Sequence, residues 1–332
     1  MLKDGLRRMV AAAAPCMWHV GTGSRLLILM YHRVLPRGDA ARQFEQPGMI
    51  VAPETLEMHI RELRRHFELM PLEDWISKSA AGAPLPRLAC ALTFDDGWRD
   101  NHVHAFPILR AARAPATIYL VSALVGGSYG FWPTTLARIL CTAWERGDRD
   151  LPARLARDCP AVSIPVAVPA HAARDTADAV IGALKAYDDQ TMQRVVAGLG
   201  PANANGADRE LLSWDEVHEM VESGLIRFGS HTCTHARLGT TTGIETARQE
   251  VEQSAEDLQR QLGRLVAGFC YPNGDHAPHT VELVRRRYSY AVTTQHGWND
   301  ASTDRMLLKR VGVHDDVSDT KSRLIARIAA GI

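Results

Sequence analysis

Short apolar runs alternate along the chain with longer segments in which apolar residues recur every three or four positions. The run at 26–31 (LLILMY) has no polar break, the pattern of a strand buried on both faces, and it ends in His32, Arg33 and Val34. From Pro53 onward, Leu56, Ile60, Leu63 and Phe67 fall at helical spacing among charged neighbours, which predicts an amphipathic helix. A second buried strand is predicted at 88–94, broken by Asp95, Asp96 and Gly97, then a helix at 103–113 and a third strand at 116–121 with the β-branched Thr117, Ile118 and Val121. The rhythm resumes with a helix at 213–223, where Ser213 and Glu216 form a capping-box pattern, and a strand at 226–229 running into Ser230 and His231. Further elements are predicted as helix 245–262, strand 265–271, helix 281–287, strand 290–294 and a closing strand within 306–313. Strand, helix, strand in this order predicts parallel β/α units, and right-handed crossovers make a barrel or a doubly wound sheet the economical outcome.

Between about 125 and 205 the pattern changes to Ala-rich, Asp/Arg-rich segments with a proline-punctuated stretch at 160–169, which predicts a helical insertion. The domain reading is therefore an N-terminal extension (1–24), a main domain (25–320) carrying the insertion, and a C-terminal tail (321–332). At 332 residues the chain is long enough for one large core. Acidic and basic side chains balance at 38 each, which removes the positive field that general nucleic-acid binders use. The longest apolar runs fall far below the roughly 18 residues that span a bilayer. Lys3, Arg7 and Arg8 precede a short apolar stretch at 9–15, a weak secretory pattern without a clear cleavage site, so a surface helix with an Ala-rich face is the simpler reading. Cys16 follows Ala-Ala-Pro, a poor context for a lipid anchor. The six cysteines (16, 90, 141, 159, 233 and 270) form no C-x-x-C pair, which favours free thiols and a cytoplasmic or membrane-peripheral location.

Two strand ends carry candidate chemistry. A buried strand gains nothing from the like charges Asp95 and Asp96 unless something positive faces them. Adjacent residues of an extended backbone also point to opposite sides, so one carboxylate can bind a cation while the other addresses something else. Asp-Asp-Gly alone would equally suit a turn. His231 and His235, in Ser-His-Thr-Cys-Thr-His at 230–235, are spaced to lie on one side of a helical turn and to converge on one ion. One aspartate plus two histidines is a three-ligand set that leaves a position open, as catalytic zinc sites do, and both pieces sit where α/β barrels place their active sites.

The motifs at 93–97 (TFDDG) and 230–235 (SHTCTH) resemble the first and second motifs of the polysaccharide deacetylase family, which shares the NodB-homology domain. The resemblance spans approximately 26–313, apart from the insertion. It implies a distorted, incomplete (β/α) barrel, a metal held by Asp96, His231 and His235 (zinc, or another divalent ion such as cobalt or nickel), and Asp95 as catalytic base. Tyr31-His32-Arg33-Val34 is similar to the opening strand of members that deacetylate biofilm poly-N-acetylglucosamine, and 269–274 (FCYPNG) is similar to their third motif. In that motif the backbone N–H of Asn273 would be the oxyanion donor. Other branches have an arginine where Cys270 stands, which orients the base; its absence leaves open what positions Asp95. The segment at 308–315 matches the region that supplies a general-acid histidine, here His314, whose charged form the aspartates Asp315 and Asp316 would stabilise; His32 is the rival acid. Where the family has proline after the second metal histidine, this chain has Ala236, a change in turn stiffness.

The implied function is hydrolysis of acetyl groups, N-acetyl first, from a polysaccharide, oligosaccharide or lipid-linked sugar in cell-surface or exopolysaccharide metabolism, with peripheral membrane association compatible with a lipid-linked substrate. Trp98, Trp132, Tyr271 and Trp298 are candidate sugar-stacking surfaces, with His32 and Pro272 lining the same cleft; core packing is the plain alternative for the aromatic residues. Two other functions fit the same residues: a sugar-binding module with a non-catalytic metal site, and a deformylase or cyclic-amide hydrolase on a related barrel.

Overall fold

The computed structural model describes Ala14, Trp18 and residues 23–46, 48–127, 130–200 and 209–331. The rest of the N-terminal extension, with the weak secretory pattern and Cys16, lies outside the described residues.

Seven parallel strands close on themselves. They are β1 (Arg25–Tyr31), β2 (Leu88–Phe94), β3 (Ala116–Leu120), β4 (Ile226–Ser230), β5 (Gly268–Cys270), β6 (Tyr290–His296) and β7 (Leu308–Gly312). Neighbours in sequence pair in parallel from β2 through to β7. The ring closes because β1 pairs with both ends of that series: Tyr31 lies opposite Phe94 on β2, and Met30 opposite Gly312 on β7. The barrel is one β/α unit short of the eight-stranded form. It explains the unbroken apolar runs. Leu26 and Ile28 of β1 join Ala89, Ala91, Tyr119, Tyr290, Val292 and Leu308 in the interior, while Leu27, Leu29 and Tyr31 face the helix layer.

The helices follow their sequence signals. Leu56, Ile60 and Leu63 are the buried face of helix Pro53–Leu63, with Phe67 buried just beyond it, and Ser213 caps helix Trp214–Glu222 in the full capping box. Three elements differ. The helix predicted at 103–113 opens with a π turn at Asn101–Ala105 and closes on Arg113 in a left-handed conformation (φ 47°). The strand predicted at 265–271 shrinks to Gly268–Cys270, because Leu265 is exposed and belongs to the preceding connection. The segment read as a C-terminal tail carries helix Lys321–Ala329, whose Leu324, Ile325 and Ile328 join the main core; their helical spacing is the signal.

A second compact unit consists of Arg37–Pro47 and Ser128–Glu210. Its helices Trp132–Arg146, Asp150–Asp158, Ala173–Leu184 and Asp189–Leu199 share their own core, including Leu136, Leu140, Trp144, Leu155, Ile181 and Met192. Within it Glu45 accepts a hydrogen bond from the Thr134 hydroxyl (3.1 Å), and Arg174 donates to the carbonyls of Phe44 and Glu45, so the polar segment after β1 belongs to the insertion's unit. Among the described residues no helix is long and apolar enough to cross a membrane.

Candidate active site

The chemistry-bearing residues gather at the C-terminal ends of the barrel strands. Asp95 and Asp96 leave β2, His231 leaves β4, Tyr271 and Pro272 leave β5, and His32 leaves β1. The exit of β1 is tied to that of β2: Asp100 accepts from Arg33 Nε (2.9 Å) and from the amide of Val34 (2.7 Å), and Asn101 Nδ2 donates to the carbonyl of His32 (2.8 Å). This clamp holds His32 beside Asp95, with Nε2 3.9 Å from Oδ2.

Asp96 Oδ1 lies 3.4 Å from His231 Nε2 and 3.6 Å from His235 Nε2. Ligand atoms bound tetrahedrally at zinc distances stand about 3.4 Å apart, so the three donors already have the spacing that one ion requires. The tautomer also fits. His231 Nδ1 donates to the Cys270 carbonyl (2.8 Å), which leaves the Nε2 lone pair free for a metal. On the other side, Trp98 Nε1 donates to Asp96 Oδ2 (2.9 Å), leaving Oδ1 turned towards the histidines. Burial opposes ionisation of Asp96, but the neighbouring histidines outweigh it and hold the carboxyl well below the usual carboxylate range.

The convergence of the two histidines is not helical. Residues 231–235 form an irregular loop in which Thr232 (φ 65°) and His235 (φ 68°) are left-handed, as is Asp96 (φ 76°). For a residue other than glycine, and above all for β-branched Thr232, such a conformation costs about 1–3 kcal/mol and persists only where surrounding contacts impose it.

Asp95 is held differently. Arg310, fully buried on β7, makes a two-pronged contact with it, Nη1 to Oδ1 and Nη2 to Oδ2, each 2.7 Å. The guanidinium is itself fixed: Nε donates to the Thr293 carbonyl (2.8 Å), Nη1 also to Thr93 Oγ1 (3.1 Å), and Nη2 also to Cys270 Sγ (3.2 Å). Burial pushes the Asp95 carboxyl up, but the Arg310 charge and hydrogen bonds more than offset this, so it stays ionised below the usual carboxylate range. Arg310 therefore stands where the arginine missing at Cys270 would act, reaching Asp95 from another strand. Sequence reasoning passed over it, although Arg310, in phase with inward-facing Leu308 and out of phase with Lys309, was the positive partner that a buried aspartate pair demanded.

Asn273 (φ 55°) lies in the single turn Pro272–Gly274 directly after β5, with its carbonyl accepting from Thr294 Oγ1 (3.1 Å). His314 follows β7, but its expected stabilisation as a cation is reversed. Burial lowers its pKa below the ordinary histidine value, and the hydrogen bond from Nδ1 to Asp316 (3.1 Å) offsets only part of that; Asp315 instead accepts from the Thr55 hydroxyl (2.8 Å) and the Ala52 amide (3.1 Å).

The aromatic candidates are core, not sugar platforms. Tyr271 is 0% exposed and packs on Phe269, and Pro272 is buried beside it. Trp98 is 1% exposed, with the Arg33 guanidinium over its ring at 4.1 Å. Trp298 packs against Trp18 and Phe67 next to Asn299, which pairs with Leu26 at the opposite end of β1. Trp132 belongs to the core of the insertion's unit, its indole N–H bonded to Asp189 (2.9 Å).

A family model described as polysaccharide deacetylase matches residues 83–147 and 167–292, more than half of the chain. The chain belongs to the polysaccharide deacetylase family. As a polysaccharide deacetylase it is a hydrolase of carbon–nitrogen bonds other than peptide bonds, and both matched segments contain the residues described above: Asp95 and Asp96 in the first, His231 and His235 in the second. No curated protein matches it. Solved structures share the fold at low identity. The Streptococcus pyogenes deacetylase PplD in complex with acetate is 17% identical (92% of this chain, 99% of that one, TM-score 0.61). IcaB from Ammonifex degensii is 19% identical (92% and 98%, TM-score 0.59). A de-N-acetylase from Aggregatibacter actinomycetemcomitans is 18% identical (88% and 95%, TM-score 0.55). This polysaccharide deacetylase thus keeps the family's NodB-type barrel, with the arginine that meets Asp95 supplied by β7.

Proposed function

We propose that the protein is a divalent-metal-dependent deacetylase that removes N-acetyl groups from a glucosamine-containing polysaccharide, oligosaccharide or lipid-linked sugar of the cell surface. The observation that carries the reading is the pairing of a converged Asp96, His231 and His235 set with an adjacent ionised carboxylate, Asp95, that is not part of it. Asp96, His231 and His235 would hold the ion, with zinc the best match to two imidazoles and one carboxylate and cobalt or nickel as alternatives. Bound there, it would polarise the acetyl carbonyl and acidify a water.

The chain's own groups supply the remainder. Asp95, oriented by Arg310, takes a proton from the attacking water. The Asn273 backbone N–H serves as donor to the developing oxyanion, supported by its place in the turn that directly follows Cys270, whose carbonyl fixes His231. His32 protonates the departing amine. It is favoured over His314 because it stands 3.9 Å from Asp95, whereas burial disfavours the charged form of His314. The five described cysteines are free, which supports a reducing compartment, cytoplasmic or at the membrane periphery.

The test is acetate release from N-acetylglucosamine oligosaccharides by the wild type and by Asp95→Asn, with metal content measured in both. The wild type is expected to release acetate, and Asp95→Asn to keep its metal while losing about 10³-fold in rate. A wild type that binds metal and sugar without releasing acetate would instead be a binding module. Formate as the product would make the enzyme a deformylase.

A further inference from the structure

Helix Ile244–Leu262 carries a buried carboxylate with no part in the chemistry described so far. Glu250 Oε2 accepts from the consecutive amides of Cys233 (2.9 Å) and Thr234 (2.8 Å), and Oε1 accepts from the Thr234 hydroxyl (2.7 Å). All three donors belong to the loop between His231 and His235, so both oxygens of one side chain are spent on the segment that brings the two histidines together. The other side of the loop is tied as well: the carbonyls of Thr232 and Cys233 accept from the amides of Ser122 (3.2 Å) and Ala123 (3.0 Å) at the exit of β3. Left-handed Thr232 and His235 flank this clamp on either side.

We propose that Glu250 is a positioning residue for the metal centre: it holds the 232–235 loop in its strained left-handed path, so that His235 stands opposite His231 and Asp96 before any ion arrives. The inference rests on the metal-centre reading above. An anchored carboxylate suits the task, since two adjacent amides and a hydroxyl aimed at one point are satisfied together by an anion. Without it the loop relaxes towards right-handed or extended conformations, His235 swings out, and metal binding must restore the order at the expense of affinity.

The test compares the full-length wild type with Glu250→Gln, Glu250→Ala and Thr234→Val. Zinc dissociation constants are measured by chelator competition, melting temperatures on the metal-free proteins, and acetate release at saturating zinc. Supporting partners of metal ligands are worth about 10–100-fold in affinity. Glu250→Ala is expected near the upper end, Glu250→Gln near the lower, and Thr234→Val, which keeps both amide bonds, about threefold. The rate at saturating zinc should return to within a few fold of wild type, because the ligands and the base are intact. A residue that merely stabilised the fold would lower the melting temperature and leave zinc affinity unchanged; that result in Glu250→Gln overturns the proposal. Thr234→Val, the mildest of the three, discriminates in the same way where a Glu250 variant folds poorly. A wild type that takes up no divalent ion sinks the metal-centre reading itself, and equal affinity in wild type and variants sinks only the role of Glu250.

Discussion

Two neighbouring aspartates leave the same strand and are secured by opposite means. Asp95 is fixed by side chains on regular strands: Arg310 of β7 grips both oxygens, and Thr93 of β2, Thr293 of β6 and Cys270 of β5 grip Arg310. Asp96 and its histidines are fixed by irregular backbone, three left-handed residues braced by Trp98 and Glu250. The difference suits the roles proposed for the two sides. A base needs one defined orientation and a stable charge, which a rigid buried ion pair supplies. Ligands for one ion would have to converge from distant stretches of chain, and here a departure from regular backbone, not a helical turn, brings His231 and His235 together.

The sharpest way to break this comparison is to move the partner of Asp95. Arg310→Cys strips buried Asp95 of its paired guanidinium and leaves it the weaker influence of His231 and His32, which should destabilise the fold by about 3–5 kcal/mol and lower acetate release by about 10³-fold. With the largest offset to burial removed, and the smaller pull of His231 and His32 remaining, the Asp95 pKa rises and the acid limb of the activity profile moves up in pH. Adding Cys270→Arg returns a guanidinium from the strand position other family branches use, 3.2 Å from where Arg310 now ends. The exchanged pair should recover most of the stability, measured by urea unfolding, and much of the rate. If it recovers neither, orientation of the base depends on β7 itself and not on charge and reach.

That arginine also marks the limit of what could be read from the chain. Strands β1 and β2 were legible because burial on both faces leaves a nearly unbroken apolar run, and Asp96, His231 and His235, which the structure brings together, stood out as residue types with few other reasons to recur at strand ends. Arg310 and Glu250 were not. Each acts across the barrel or between a helix and a loop on a partner between 16 and 215 positions away, and nothing local distinguishes a clamping glutamate from a solvated one. The aromatic residues failed for the converse reason: Trp98, Tyr271 and Trp298 look the same in sequence whether they line a cleft or fill a core.

A second experiment probes the ground under Asp95. Tyr31, whose carbonyl accepts from the Asp95 amide (3.0 Å), donates its hydroxyl to Nδ1 of buried His59 (3.0 Å), and His59 Nε2 donates to the Ser318 carbonyl (2.6 Å). Burial lowers the His59 pKa to about 4, although Ser318, Asp315 and Asp319 pull the other way. The unfolded chain takes up this proton near pH 6.5 and the folded one only near 4, so the stability is complete above 6.5 and is lost as pH falls through that window. The loss amounts to about 3 kcal/mol. His59→Gln keeps a donor and an acceptor in place, and its unfolding free energy should fall less steeply between pH 6.5 and 4 by about that amount. Identical slopes in the two proteins would show that His59 is protonated in the fold.

The smallest effect is expected on the metal side, and it isolates one bond. Trp98→Phe keeps a ring beneath Arg33 but removes the N–H that occupies Asp96 Oδ2, together with part of the indole's buried volume. Released from that bond, the carboxylate can rotate and offer both oxygens, so the site loses the single-oxygen geometry that matches the two Nε2 atoms. Zinc affinity should weaken about tenfold, while the acid limb set by Arg310 and Asp95 stays where it is. The two readouts separate the two halves of the site. If Trp98→Phe shifts the acid limb as far as Arg310→Cys does, the aspartates are not held independently, and base and ligand titrate as one unit.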